Sequence, residues 1–85
     1  MDNLKKCYES LKKDLKFHLI SSFREIENII QDNLHRHIFN LSKVKIINEI
    51  DRIYIFLTEE RYIIILFEVC ELGDYYIKDL ILIGG

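Results

Sequence analysis

His35-Arg36-His37 is the one local run in the chain with metal-ligand side chains. On a helix, side chains two residues apart point about 200° apart, so these histidines share a metal only on extended or irregular backbone. No cysteine or acidic residue stands beside them at a zinc-type spacing. The pattern predicts two solvated histidines at a helix C-terminus, where residual negative charge favours them. His18 beside Cys7 or Cys70 would be the base of a thiol nucleophile. The sequence supplies no third group to orient that ring and no glycine-rich turn for an oxyanion hole. His18 is therefore read as a boundary residue, and the cysteines as free thiols.

Carboxylates are the next source of chemistry. Glu59, Glu60, Glu68, Glu71, Asp74 and Asp79 give the last 27 residues a net charge of −4. Glu68 and Asp79 are placed to meet across a hairpin, where one would serve as acid and the other as base. Solvated turns and edges account for most of the group, and an acidic surface that steers a basic partner is the intermediate reading. The basic residues lie at the other end. Lys5, Lys6, Lys12, Lys13, Lys16 and Arg24 stand against Asp2, Glu9 and Asp14, a net +3 over residues 1–24. Phosphate contact is the chemistry such a helix offers. The interleaved acids and the absence of an aromatic–basic pattern favour an ordinary solvated face instead.

Gly84-Gly85 closes the chain after a Leu-Ile run. It resembles the tail of ubiquitin-like and sulfur-carrier proteins, whose last glycine is activated by a partner enzyme. The resemblance covers these two residues, or six with the preceding Leu-Ile-Leu-Ile run. That family opens with a hairpin before its helix, whereas nearly forty residues of helical pattern come first here. A strand end is the expectation.

No catalytic constellation, metal site or cofactor motif emerges, and the chain is expected not to be an enzyme. Its 85 residues make one domain, 49% apolar and 31% charged with a net charge of −2, an ordered globular composition. No apolar run reaches the ~18 residues that cross a bilayer. MDNLKKCYESLKKD lacks the apolar core of a signal peptide, so the cytoplasm is the expected compartment.

The elements that must position these residues follow from periodicity. Leu4, Tyr8, Leu11, Leu15, Leu19, Phe23, Ile26, Ile30 and Leu34 form a stripe at steps of three and four, a helical pattern over 3–35 with Asp2 as its N-cap. Ser21-Ser22 interrupts it, and Ser22 with Glu25 fits a capping box. One unbroken helix would run roughly 45–50 Å and overhang a sheet whose strands are about 30 Å long. It must bend at the serines or divide into two helices there. Strands are expected at 43–48, 52–58, 61–70 and 75–83, with hairpins at Thr58–Arg61 and at Leu72-Gly73-Asp74. The fold class is α+β: a helical layer on a four-stranded antiparallel meander, in two layers.

The third strand, RYIIILFEV, is apolar on both faces. Ile63, Ile65, Phe67 and Val69 share one face, and Tyr62, Ile64, Leu66, Glu68 and Cys70 share the other. A loop with an odd number of residues puts Ile53, Ile55 and Leu57 beside Phe67, Ile65 and Ile63, with Arg52 opposite Glu68. In the fourth strand, Ile77, Ile81 and Ile83 are expected on one side and Leu80 and Leu82 on the other. One helical layer covers one face. Tyr54, Phe56, Tyr62, Ile64 and Leu66 are then left as an interface patch. Three coverings are open: a helix on each face, a second copy docked face to face or exchanging helices, or a different protein. The resulting expectation is a small protein-binding module, a homodimer that occludes a larger protein partner. An inhibitor, antitoxin, immunity or anti-defence protein of a phage or mobile element has these traits. The order of elements is similar to that of cystatin-like domains, small phage proteins, immunity proteins and RelE-like toxins and selects none of them. The RelE-like proteins are strongly basic and open with a strand, and neither holds for this chain. The alternative is a nucleic-acid-binding or nuclease subunit that uses the lysine-rich helix.

Overall fold

The computed structural model describes residues 3–84, so the proposed cap at Asp2 lies outside the described residues. The helical stripe is divided. Helix α1 spans Asn3–Leu15, a two-residue strand β1 spans Leu19–Ile20, and helix α2 spans Phe23–Arg36. A short 3-10 turn at Leu41–Lys43 leads into β2 (Lys45–Asn48), β3 (Arg52–Phe56), β4 (Tyr62–Val69) and β5 (Tyr75–Ile83).

The division has a local cause at each end. Phe17 takes positive φ (64°), which ends α1, and its N–H donates to the Ile77 carbonyl at 2.8 Å. The His18 carbonyl accepts from Ile77 N–H at 3.1 Å, so residues 17–20 run along β5. Leu19 therefore belongs to a strand and is 59% exposed, although it continues the helical stripe. Ser22 caps α2 by accepting from the Glu25 N–H at 3.2 Å, as the capping-box pattern predicts. The Ser21 hydroxyl donates to the Glu25 carboxylate.

The sheet has five strands, not four, in the order β1-β5-β4-β3-β2, all antiparallel. Two residues carry no readable strand pattern, and β1 forms only because the chain leaving α1 pairs with β5. The β3–β4 register differs from expectation by two residues. Ile53 faces Ile65 and Ile55 faces Ile63, while Arg52 lies opposite Leu66 rather than Glu68. The odd loop count holds, but the loop is Leu57–Arg61. The Thr58 hydroxyl accepts from the N–H groups of Glu60 (3.3 Å) and Arg61 (3.0 Å), which orders a turn that has no glycine. The 70–74 hairpin closes as expected around Gly73, at φ 89°.

A bulge corrects the faces of β5. Leu66 pairs with Asp79 and Phe67 with Ile77, so Lys78 is the extra residue. Ile77 thereby joins Leu80 on the covered face, both almost fully buried, whereas simple alternation separates them. Both helices pack on this one face. Leu4, Cys7, Leu11 and Leu15 of α1 and Ile26, Ile30 and Leu34 of α2 form one core with Ile53, Ile55, Ile63, Ile65, Phe67, Ile77 and Leu80. Phe23, Tyr75 and Phe67 close one end of it through edge-to-face contacts. The division at Ser22 thus does not place a helix on each face.

Asn33 shows how the two helices are held in register. It is fully buried, accepts from the Ser10 hydroxyl at 2.5 Å and donates to Asp14 Oδ2 and to the Ile29 carbonyl. A buried amide satisfied from both helices stabilises their pairing and would be costly to leave unpaired. Tyr8 ties α1 to the sheet, its hydroxyl donating to the Leu80 carbonyl at 2.8 Å.

Candidate functional site: the uncovered sheet face

With both helices on one side, no layer of the described chain lies over the opposite face of the sheet. Its rows follow from the pairing: Ile83, Tyr62, Phe56 and Lys45, then Ile81, Ile64, Tyr54 and Ile47, then Asp79, Leu66 and Arg52. The five residues expected to form an interface, Tyr54, Phe56, Tyr62, Ile64 and Leu66, are brought together here. Each is half-buried by its neighbours on the sheet. Tyr54 and Phe56 stack with ring centroids 5.9 Å apart, and Phe56 and Tyr62 approach to 4.9 Å. This places rigid aromatic area on rigid strands, which lose little entropy on binding.

Charge frames the patch. Arg52 stands at one corner, its Nε 3.6 Å from Asp51 Oδ1. Hydrogen bonding with Tyr54, then the charge of Asp51, holds its guanidinium above its ordinary pKa. At the other end of the same β2–β3 side a shallow groove of about 500 Å³ opens between β2 and the β3–β4 loop, lined by Lys43, Lys45, Ile47, Phe56, Leu57, Thr58 and Glu59. The groove adds polar groups of both signs beside Phe56. Periodicity assigns the aromatic residues to a face but gives no sign of this groove, because the groove depends on the five-residue loop and on the 3-10 turn.

The other candidates do not assemble. Glu68 lies opposite Tyr76, and Asp79 lies opposite Leu66, so the acid–base pair is not formed. The register set by the 70–74 hairpin already gives Glu68 to Tyr76, and the bulge at Lys78 shifts Asp79 only as far as Leu66. Asp79 instead pairs with Lys16 Nζ at 3.1 Å and accepts from the Leu80 N–H at 2.8 Å. The Lys16 bond, then the Leu80 bond, hold its carboxyl below the ordinary value. Among the described residues no three of His, Cys, Asp and Glu gather as a metal site. His37 Nδ1 lies 2.9 Å from the Asn33 carbonyl, and His35 and His18 are exposed.

Cys7 is fully buried, and burial pushes its thiol up to about 11, with Arg36 pulling the other way. A thiol of that kind is a poor nucleophile near neutral pH. Both cysteines are free, and Cys70 is half-buried. Just past α1, Lys16 is committed to Asp79, and on α1 Lys12 lies over the Tyr8 ring, 5.6 Å from its centroid. Lys5, Lys6 and Lys13 remain exposed. Gly84 is held in place: Arg61 Nε donates to its carbonyl at 3.1 Å, and a Cβ there would collide with the Glu60 carbonyl oxygen. Gly85 lies outside the described residues.

Comparison with protein-family models, with curated proteins and with solved structures returns no match. No helix among the described residues is long and apolar enough to cross a membrane.

Proposed function

We propose that the protein is a small, non-catalytic protein-binding module that occludes a larger partner with the uncovered face of its sheet. The observation that carries this reading is the clustering of Tyr54, Phe56 and Tyr62 with Ile64 and Leu66 on a face no helix covers. Anchors of this kind contribute most of the binding energy at protein interfaces when desolvated, and a charged rim sets orientation and encounter rate. Arg52 and the groove lysines supply that rim. An inhibitor or antitoxin-like role fits a chain of this size.

Site-specific photocrosslinking in the source cell tests the reading. A benzoylphenylalanine at Tyr62 should trap one larger protein that the same probe at Glu27, exposed on α2, does not. The trapped protein, purified, should then form a one-to-one complex with the unmodified chain, and Phe56→Ala should weaken it by roughly 2 kcal/mol or more. Trapping only from Glu27 would move the interface from the sheet face to the helical side, and retention on nucleic acid that salt abolishes would favour the lysine-rich helix.

A further inference from the structure

The two edges of the sheet are treated differently. At the β5 edge, β1 covers residues 75–76, and the Phe17 and His18 backbone extends that cover to Ile77. Beyond it, Leu80 is satisfied by side chains, its N–H by Asp79 and its carbonyl by Tyr8. The β2 edge has no such cover. Glu49 N–H donates to the Arg52 carbonyl, which makes 49, 47 and 45 the residues whose backbone groups face β3. The groups of Ile46 and Asn48 therefore point outward, and among the described residues nothing bonds to them from that side. Ile46 is 42% exposed. An open edge of this kind is a template for another strand.

Its charges indicate which strand. Lys43 and Lys45 lie at one end of β2, and Glu49 and Asp51 lie at the other. We propose that β2 pairs antiparallel with β2 of a second copy of this chain, about a two-fold axis at Ile47. In that register Ile46 lies opposite Asn48 of the second copy, so the outward N–H and carbonyl groups of both meet in four hydrogen bonds. Lys45 lies opposite Glu49 of the second copy, twice by symmetry, and each Lys43 is carried toward the end that bears Asp51. Moving the register by one residue turns the outward groups away from one another, and moving it by two to centre on Ile46 places Lys45 against Ile47. A parallel approach sets lysine against lysine. Opposite residues share a face, so the two uncovered faces join into one across a ten-stranded sheet, with all four helices beneath. The proposal is separate from the proposed function, since a single chain presents the same aromatic face.

Sedimentation of the full chain between about 10 µM and about 1 mM tests it, because four hydrogen bonds and two charge pairs support only a weak dimer. The mass should rise from one chain toward two. Ile46→Pro removes an outward N–H, a change an edge strand tolerates, and should leave a single chain with an unaltered circular dichroism spectrum. Lys45→Glu and Glu49→Lys each set like charges opposite one another and should weaken the dimer on the order of tenfold. An equimolar mixture of those two variants restores both opposite-charge pairs and should recover a heterodimer of wild-type strength. A wild-type mass of one chain throughout, a dimer indifferent to Ile46→Pro, or a mixture that stays as weak as its components would each overturn the proposal. The charge variants, at exposed positions, decide the matter if the proline variant unfolds.

Discussion

Phe17 and Ile38 both follow helix ends in left-handed backbone, at φ 64° and 65°, where glycine is the usual residue. For a β-branched side chain this costs roughly 1–2 kcal/mol. Ile38 is 84% exposed, so its side chain regains little by burial. Phe39 N–H still reaches the Leu34 carbonyl and Ile38 N–H the His35 carbonyl, so the turn at the end of α2 is hydrogen-bonded as glycine would leave it. Ile38→Gly should therefore stabilise the fold by about 1 kcal/mol after the entropy glycine gains in the unfolded chain, seen as a higher urea midpoint with an unchanged slope. The cysteines separate at the same scale. Cys7 is buried with its thiol held up to about 11, and Cys70 is half-buried outside the core. A chromogenic disulfide reagent at neutral pH should titrate one thiol per native chain and both in denaturant. Two equally fast thiols would mean that the core around Leu4 and Leu11 opens readily.

At the scale of elements, the helix cap is the feature most directly written in the sequence. Ser22 and Glu25 mark the start of α2, and Ser22→Ala should cost about 1 kcal/mol by thermal unfolding. The four strands that alternate or run apolar were legible within a residue or two, because β-branched and aromatic runs between polar turns have one physical reading. What was not legible depends on distant partners. Leu19 continues a helical stripe, yet the chain there pairs with β5. The two-residue register difference rests on Thr58 supplying a turn that glycine usually makes. The bulge at Lys78 lets Ile77 and Leu80 share the covered face, and Asp79 comes opposite Leu66, not Glu68. Asp79 pairs instead with Lys16, and the pH dependence of that ion pair has a definite sign. Asp79 titrates below its ordinary 3.8 in the fold, so its contribution is complete above that value and lost as the pH falls through the lower folded one. Both groups are partly exposed, which keeps the effect below about 1 kcal/mol. Wild type should lose its small advantage over Asp79→Asn on acidification from about pH 5 to about pH 2 in urea titrations.

For the whole molecule, the decisive asymmetry is between two neighbouring isoleucines. Ile65 points into the core and is fully buried, while Ile64 points to the opposite face and is half-buried among Tyr54, Leu66 and Ile81. Threonine keeps the β-branch, so the same substitution at both positions leaves strand propensity nearly constant and isolates the environment. Ile65→Thr removes a buried methyl and puts a hydroxyl where the core offers no partner, and should cost roughly 2–4 kcal/mol. Ile64→Thr should cost about 1 kcal/mol or less, because water already reaches that site. Denaturation of the two variants under identical dilute conditions measures the difference. Edge pairing through β2 leaves this contrast intact, since it covers neither face of the central strands. A partner docked on the aromatic face removes it: in a purified complex, Ile64→Thr should become as costly to binding as Ile65→Thr is to folding. Equal costs in the isolated chain would mean that a layer already shelters Ile64, and an aromatic face open to a partner would no longer be available to this molecule.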